Sequence, residues 1–253
     1  IIKLQEYQSQ FENIINFITH LDLIETKRYI AEKYNYCKPE IDNTAETSYV
    51  NVKDLRHCLI EHIQTNEVYV PNDIVIGGND ERNSNGILLY GTNAVGKTSL
   101  IKALGISVIM AQSGLYVPSS SFKFKPYDTI FTRILGNDNI FKGLSTFEVE
   151  MSELKTILKC ANKNSLILGD ELCSGTETES AISIFVAGLE HLHKKDSSFI
   201  FATHFHEIVD FDEIKALDKM CMKHLTVVYN EETQTLVYNR KLQNGPGNKM
   251  YGL

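Results

Sequence analysis

Ile87-Leu88-Leu89-Tyr90-Gly91-Thr92-Asn93-Ala94-Val95-Gly96-Lys97-Thr98 is the stretch on which the fold of this chain turns. Its first four residues read as a buried strand, and the eight from Gly91 to Thr98 fit the pattern G-x-x-x-x-G-K-[ST]. Glycines in such a loop let backbone N–H groups turn inward onto phosphate oxygens, and the helix behind it adds its positive N-terminal end. In that geometry Lys97 reaches the β- and γ-phosphates of a nucleotide and Thr98 sets a hydroxyl on Mg²⁺. Leu100, Ile101, Leu104 and Val108 give the next segment the apolar content of the required helix. The expected nucleotide-binding set is therefore Gly91, Thr92, Asn93, Ala94, Val95, Gly96, Lys97, Thr98 and Ser99. An accidental glycine-rich turn is the competing reading, and the order strand, loop, helix opposes it.

Leu166-Ile167-Leu168-Gly169 is a second apolar strand, and it runs into Asp170-Glu171. In enzymes built on such a loop the first acid holds Mg²⁺ and a second can polarise the attacking water. Ser198-Phe199-Ile200-Phe201-Ala202 is a third buried strand, delivering Thr203-His204 at its carboxyl end, where open α/β sheets bind ligands. Ser145-Thr146-Phe147-Glu148 has capping-box spacing, with Phe147, Met151, Leu154 and Leu158 as a helical stripe, so Ser145 is expected at a helix N-terminus. Taken alone, that element is a well-capped surface helix. Thr176-Glu177-Thr178-Glu179 repeats the box ahead of a stripe of Ile182, Phe185, Val186 and Leu189.

Nearer the N-terminus, Phe11, Ile14, Ile15, Ile18 and Leu21 recur at helical spacing and continue with gaps to Ile30, as one long amphipathic helix or two. Residues 35–48, with Pro39, Asp42 and Asn43, break the period and read as a linker, which sets a domain boundary near Thr47. The expected division is a helical segment, 1–46, and a nucleotide domain, 47–253. Strands are expected at 49–52, 68–70, 74–76 and 129–135, and 77–86 reads as a hairpin tip or an insertion. Ser113-Gly114 reads as a helix C-terminal cap, 136–143 as a loop and 162–165 as a turn. Residues 225–229 and 235–238 flank a turn at Asn230-Glu231-Glu232 in a hairpin pattern, and Gly245-Pro246-Gly247 is a loop.

With 253 residues and 43% hydrophobic content, the chain can bury a full core as one large or two modest domains. The longest apolar candidate, 100–117, carries Lys102 and Gln112 and falls short of the ~20 residues that span a bilayer. The opening Ile1-Ile2-Lys3 resembles neither a signal nor a transit peptide, and the chain reads as a piece of a longer one. A net charge of −7 argues against a globally basic nucleic-acid surface, so any DNA contact is expected outside this chain. Five cysteines without a C-x-x-C pair point to a reducing intracellular compartment rather than a disulfide framework or zinc cluster. The pairs His191/His193 and His204/His206 lack two further ligands at metal spacing and read as surface or phosphate-site groups.

Together the glycine loop, Ser145, Asp170-Glu171 and His204 resemble an ABC-class ATPase, and the fuller strings look like the MutS family of DNA mismatch-repair ATPases. The blocks that carry the resemblance are Leu55-Arg56-His57, the glycine loop, and Gly143-Leu144-Ser145-Thr146-Phe147 with Val149-Glu150-Met151. Further matches are Asp170-Glu171 with Gly175-Thr176, Ala202-Thr203-His204-Phe205-His206-Glu207 and Tyr251-Gly252, so the likeness spans 52–253. It implies an α/β P-loop NTPase of the ABC ATPase class, a mixed sheet flanked by helices, preceded by an all-helical lever. It implies ATP and Mg²⁺ as cofactors, Lys97, Glu171 and His204 as the catalytic set, and Thr98 and Asp170 on the metal. Ser145 would act in trans on the ATP of a second MutS-like subunit, in the first instance a second copy. Tyr69 falls where the family places an aromatic against adenine, a half-buried strand tyrosine being the alternative.

The implied partner beyond that subunit is mismatched or damaged double-stranded DNA, gripped by regions outside this chain, with no membrane involved. Thr92, Val95, Gly169 and Cys173-Ser174 depart from the usual family residues, a bulky aliphatic being usual at Gly169. Cys173 with Thr176-Glu177-Thr178 looks closer to the organellar and giant-virus branch than to the bacterial one. A chromosome-organising ATPase would carry Gly-Gly after its signature serine, where Thr146-Phe147 stand here, and a GTPase would need Asn-Lys-x-Asp, which is missing. A non-hydrolysing dimerisation scaffold is opposed by Glu171 and His204.

Overall fold

The computed structural model describes residues 7–63, 68–78, 84–92, 94–133, 146–170, 178–230 and 234–247. Six strands make its central sheet: β4 (Gly86–Tyr90), β6 (Thr129–Arg133), β7 (Ser165–Asp170), β8 (Ser198–Ala202), β9 (Met220–Leu225) and β12 (Leu242–Asn244). They lie in the order β12-β9-β4-β8-β7-β6. All neighbours pair in parallel except β12 with β9. The strands β4, β7 and β8 are buried at every position, as a parallel sheet covered on both faces requires.

Side chains alternate between two cores. Ile87, Leu89, Leu166, Leu168, Ile200 and Ala202 face one that holds the helix Lys97–Gln112 and a second sheet. Leu88, Tyr90, Ile167, Phe199 and Phe201 face the other, with the helices Thr146–Cys160 and Thr178–Lys194. The expected stripe Ile182, Phe185, Val186 and Leu189 is buried there. The second sheet is built from β1 (Glu40–Ile41), β2 (Tyr49–Leu55), β3 (Asn72–Gly77) and β5 (Ser121–Lys125), in the order β1-β5-β2-β3. A short antiparallel ladder joins β10 (Val228–Asn230) to β11 (Thr235–Val237), the expected hairpin.

Gly169 departs from the usual aliphatic for a steric reason. A Cβ at Gly169 would lie 2.0 Å from the Phe201 ring, and one at Gly86 would lie 2.1 Å from Phe199. Both glycines are the direct cross-strand partners of those rings on β8. Small residues on β4 and β7 thus make room for two phenyl groups on the strand between them, and Phe185 closes on Phe201 edge-on at 5.7 Å.

The N-terminal periodicity forms one helix, Gln8–Tyr34, of 27 residues. None of its residues is buried, and Phe11, Ile14, Phe17, Ile18 and Leu21 stand exposed. Asn35 closes it in a left-handed conformation, φ 53°. Arg56 then clamps its end, donating to the carbonyls of Tyr34 (2.9 Å) and Asn35 (3.0 Å) while its Nε holds Glu61 at 2.7 Å. A cation on terminal carbonyls suits the negative end of a helix.

Some expectations need correction. Residues 68–70 are not a strand: β3 begins at Asn72, after Pro71, which has no N–H to give a ladder. The expected strand 225–229 is divided, because Leu225 ends β9, Val228 opens β10, and Thr226 pairs with Arg240 and Lys241 instead. The strands β5, β9 and β12, and β1 within the linker, were not expected from the sequence.

His57 gives a pH dependence. It is 5% exposed, and its Nδ1 accepts the N–H groups of Leu59 (3.2 Å) and Ile60 (3.4 Å), so burial holds its pKa below the ordinary 6.5. With the folded value below the unfolded one, neutral His57 contributes its full stability above pH 6.5 and loses it as pH falls below that. The urea midpoint should therefore drop on acidification more steeply in the wild type than in His57→Gln. The corresponding slopes of unfolding free energy against pH should differ by at most about 1.4 kcal/mol per pH unit, the value for one proton.

Candidate functional site

The glycine loop leaves β4 at its carboxyl end and enters the helix Lys97–Gln112. Gly91 (φ 152°) and Gly96 (φ 108°) turn the chain, and a Cβ at Gly91 would meet Val95 Cγ1 at 2.8 Å. Ala94 takes φ 64°, a left-handed conformation that costs a non-glycine residue energy and is sustained here by its surroundings. Val95 anchors the loop, fully buried, and its N–H reaches back to the Thr92 carbonyl. Gly96 heads the helix without a side chain to cap it, and N–H groups at such a helix start are the donors that suit an anion.

Lys97 is 5% exposed and folds back along the loop. Its Nζ donates to the carbonyls of Gly91 (2.8 Å) and Thr92 (3.1 Å) and lies 3.5 Å from His204 Nε2. The Thr98 hydroxyl donates to Asp170 Oδ2, joining the loop to the end of β7. Asp170 is 4% exposed, and its Oδ1 is buried without a hydrogen-bond partner among the described residues. An orphaned carboxylate oxygen beside a hydroxyl is the hard-oxygen set that a small divalent cation takes while keeping several waters. His204 is exposed, held at the carboxyl end of β8 by Thr203, whose N–H bonds the Leu89 carbonyl. Lys97, Thr98, Asp170 and His204 are thus brought together from β4, β7 and β8, while Asn93, Ser145 and Glu171 lie outside the described residues.

Beside the loop a pocket is lined by Tyr69, Asn72, Ala94, Gly96, Ser99 and Arg240, among others. Tyr69 therefore faces the loop from a coil segment rather than from a strand. Burial, then the Glu61 charge, pushes its phenol up to about 12, and Arg240 opposes that shift, which places the guanidinium's field on the ring. Sequence reasoning missed Asn72 and Arg240, because neither belongs to a local pattern. The pair His191/His193 goes elsewhere, His191 meeting the Leu158 carbonyl at 3.1 Å and His193 meeting Asp218 at 3.2 Å, and the His206 ring lies 5.0 Å from that of Tyr90. No described helix is long and apolar enough to cross a membrane.

Residues 87–253 match the family model described as MutS domain V. The chain is 38% identical, over 98% of its length, to a putative DNA mismatch repair protein mutS homolog of Acanthamoeba polyphaga mimivirus, covering 25% of that protein. It is 38% identical to the mitochondrial DNA mismatch repair protein mutS homolog of Sarcophyton glaucum, over 98% of the chain and 24% of that protein. It is also 38% identical to the DNA mismatch repair protein MutS of Thermodesulfovibrio yellowstonii, over 93% of the chain and 27% of that protein. The chain thus spans about a quarter of the length of these relatives, and a viral and a mitochondrial protein are of the kinds that Cys173 and Thr176-Glu177-Thr178 suggested.

Proposed function

This chain belongs to the MutS family of DNA mismatch-repair proteins, and on that footing we propose that it binds and hydrolyses Mg-ATP. The observation that carries the reading is the contact of Thr98, at the end of the loop that holds Lys97, with Asp170 at the end of β7. A metal and a triphosphate need those three groups within reach of one another at the carboxyl ends of the strands. Lys97 would exchange the carbonyls of Gly91 and Thr92 for the β- and γ-phosphates, whose negative charge it matches better. Thr98 and Asp170 Oδ1 would hold Mg²⁺, which neutralises charge developing on the phosphates.

Glu171 would take the proton of the attacking water as its oxygen bonds to the γ-phosphorus and the bond to the β–γ bridging oxygen breaks, giving ADP and phosphate. His204, beside the lysine, would face the γ-phosphate. Tyr69 and Arg240 would flank adenine, an aromatic ring and a planar cation each being able to lie against a base. In an ABC-class arrangement Ser145 of a second subunit completes the site, and the exposed helix Gln8–Tyr34 serves as the lever toward a DNA clamp in other regions of the protein. Mismatched or damaged duplex DNA is the ligand of that assembly. The relatives are mismatch-repair proteins, which leaves the chromosome-organising reading without support.

The test is Lys97→Ala: ATP affinity should fall at least ~10-fold and turnover to background, as expected when a charge-assisted phosphate contact is removed. Hydrolysis that survives this change would overturn the assignment.

A further inference from the structure

Asn72 does more than open β3. It is 4% exposed, and every polar function of its side chain reaches a segment that lines or adjoins the pocket. Nδ2 donates to the carbonyls of Val70 (3.3 Å) and Arg240 (3.0 Å), and Oδ1 accepts the N–H of Leu242 (2.7 Å). One amide thereby ties the residue next to Tyr69 to Arg240, which lies 168 positions beyond Asn72 in the chain.

Arg240 needs such a tie. It holds φ 54°, a conformation that persists in a non-glycine residue only when its surroundings over-determine it. The backbone around it is pinned at specific points: Arg240 N–H bonds the Thr226 carbonyl at 3.0 Å, and Lys241 N–H bonds Thr226 Oγ1 at 3.1 Å. From the other side Lys241 Nζ reaches the Pro71 carbonyl at 2.6 Å. The segments 70–72 and 240–242 are therefore clipped together, with Asn72 in the buried middle and Lys241 on the rim.

We propose that Asn72 is a positioning residue of the nucleotide site: its amide holds the segments that carry Tyr69 and Arg240 together on the pocket wall and acts on base recognition without touching the phosphate cradle. The proposal rests on reading the pocket as the base site of an ATP-binding loop. It separates the molecule's affinity into two parts, a triphosphate grip that belongs to the loop and a base grip that belongs to the clip.

Asn72→Asp keeps the shape and the acceptor for Leu242 but turns an oxygen toward two carbonyls in place of the N–H groups. Calorimetry of the full chain should show ATP binding at least ~10-fold weaker, while inorganic tripolyphosphate binds within about twofold of wild type. Arg240→Ala should produce the same selective loss, and the double variant should bind ATP no more weakly than either single by more than about twofold, since both act through one wall. Equal weakening of both ligands, or unchanged ATP binding, would overturn the proposal, because a merely structural asparagine would not distinguish them. Wild-type binding of ATP without tripolyphosphate would overturn the division into two grips, whereas failure of the wild type to bind either ligand would overturn the nucleotide reading beneath it, and this inference with it. Should Asn72→Asp not fold, Lys241→Ala loosens the same clip from the surface and should weaken ATP two- to fivefold, again sparing tripolyphosphate; no selectivity there refutes the clip.

Discussion

Glu171→Gln is expected to leave ATP binding intact and to slow hydrolysis by ~10²-fold or more, the scale of a lost general base. Its neighbour is committed elsewhere. Asp170 ends β7 with one carboxylate oxygen taken by Thr98 and the other buried, and in the proposed mechanism it would hold the metal rather than accept the water proton. His204 is exposed and its Nε2 lies 3.5 Å from Lys97 Nζ, which sets it beside the phosphate-binding lysine. In the proposed mechanism Glu171, the next residue in the sequence, is the acid that takes the base role. Glutamine keeps the length and can still orient a water, but it cannot take the proton. Single-turnover hydrolysis measured beside nucleotide binding separates the two effects, and a variant that turns over at the wild-type rate would remove Glu171 from the mechanism.

The parts of this molecule legible in the sequence are those whose information is local. The strands β4, β7 and β8 are continuous apolar runs because both faces of the sheet are covered, and a run of that kind is visible without any partner. Lys97 and Thr98 are fixed by the loop pattern, and the structure adds what no pattern states, that Thr98 meets Asp170 across the sheet. β9 was invisible because its residues are half-buried at nearly every position, so neither a run nor an alternation marks it. β5 does alternate, with Phe122 and Phe124 inside, and could have been found.

Two other features could not have been found locally at all. Gly169 looks like a departure until the Phe201 ring on the next strand accounts for it, and Asn72 looks like a strand residue until Arg240 arrives from the far end of the chain. In both cases the cause is a side chain whose neighbour is set by the sheet or by a closing segment. A one-dimensional period carries no trace of such a neighbour.

A mixture of two inactive variants, one changed at Ser145 and one at Lys97, is expected to recover activity. The helix Thr146–Cys160 that Ser145 precedes is bound to the edge of the sheet: Arg133, the last residue of β6, meets Glu150 at 3.0 Å and Glu153 at 3.1 Å. β6 stands three strands from β4 in the sheet order, and at the usual strand spacing that is roughly 14 Å from the strand that feeds the glycine loop. That helix packs at the far edge of the sheet from the loop of its own chain, and the shared-site proposal has the serine that precedes it serve the loop of a partner instead. If the site is shared, a dimer of the two variants holds one wholly intact site and one doubly damaged one. Random pairing of equal amounts makes half of all dimers mixed, each with half its sites working, so turnover should rise from background to about a quarter of wild type. The same mixture diluted below its dissociation constant should fall back toward background as the mixed dimers separate. Mixing that restores nothing at any concentration would mean that Ser145 serves its own chain, and the glycine loop would then be a complete site without a partner.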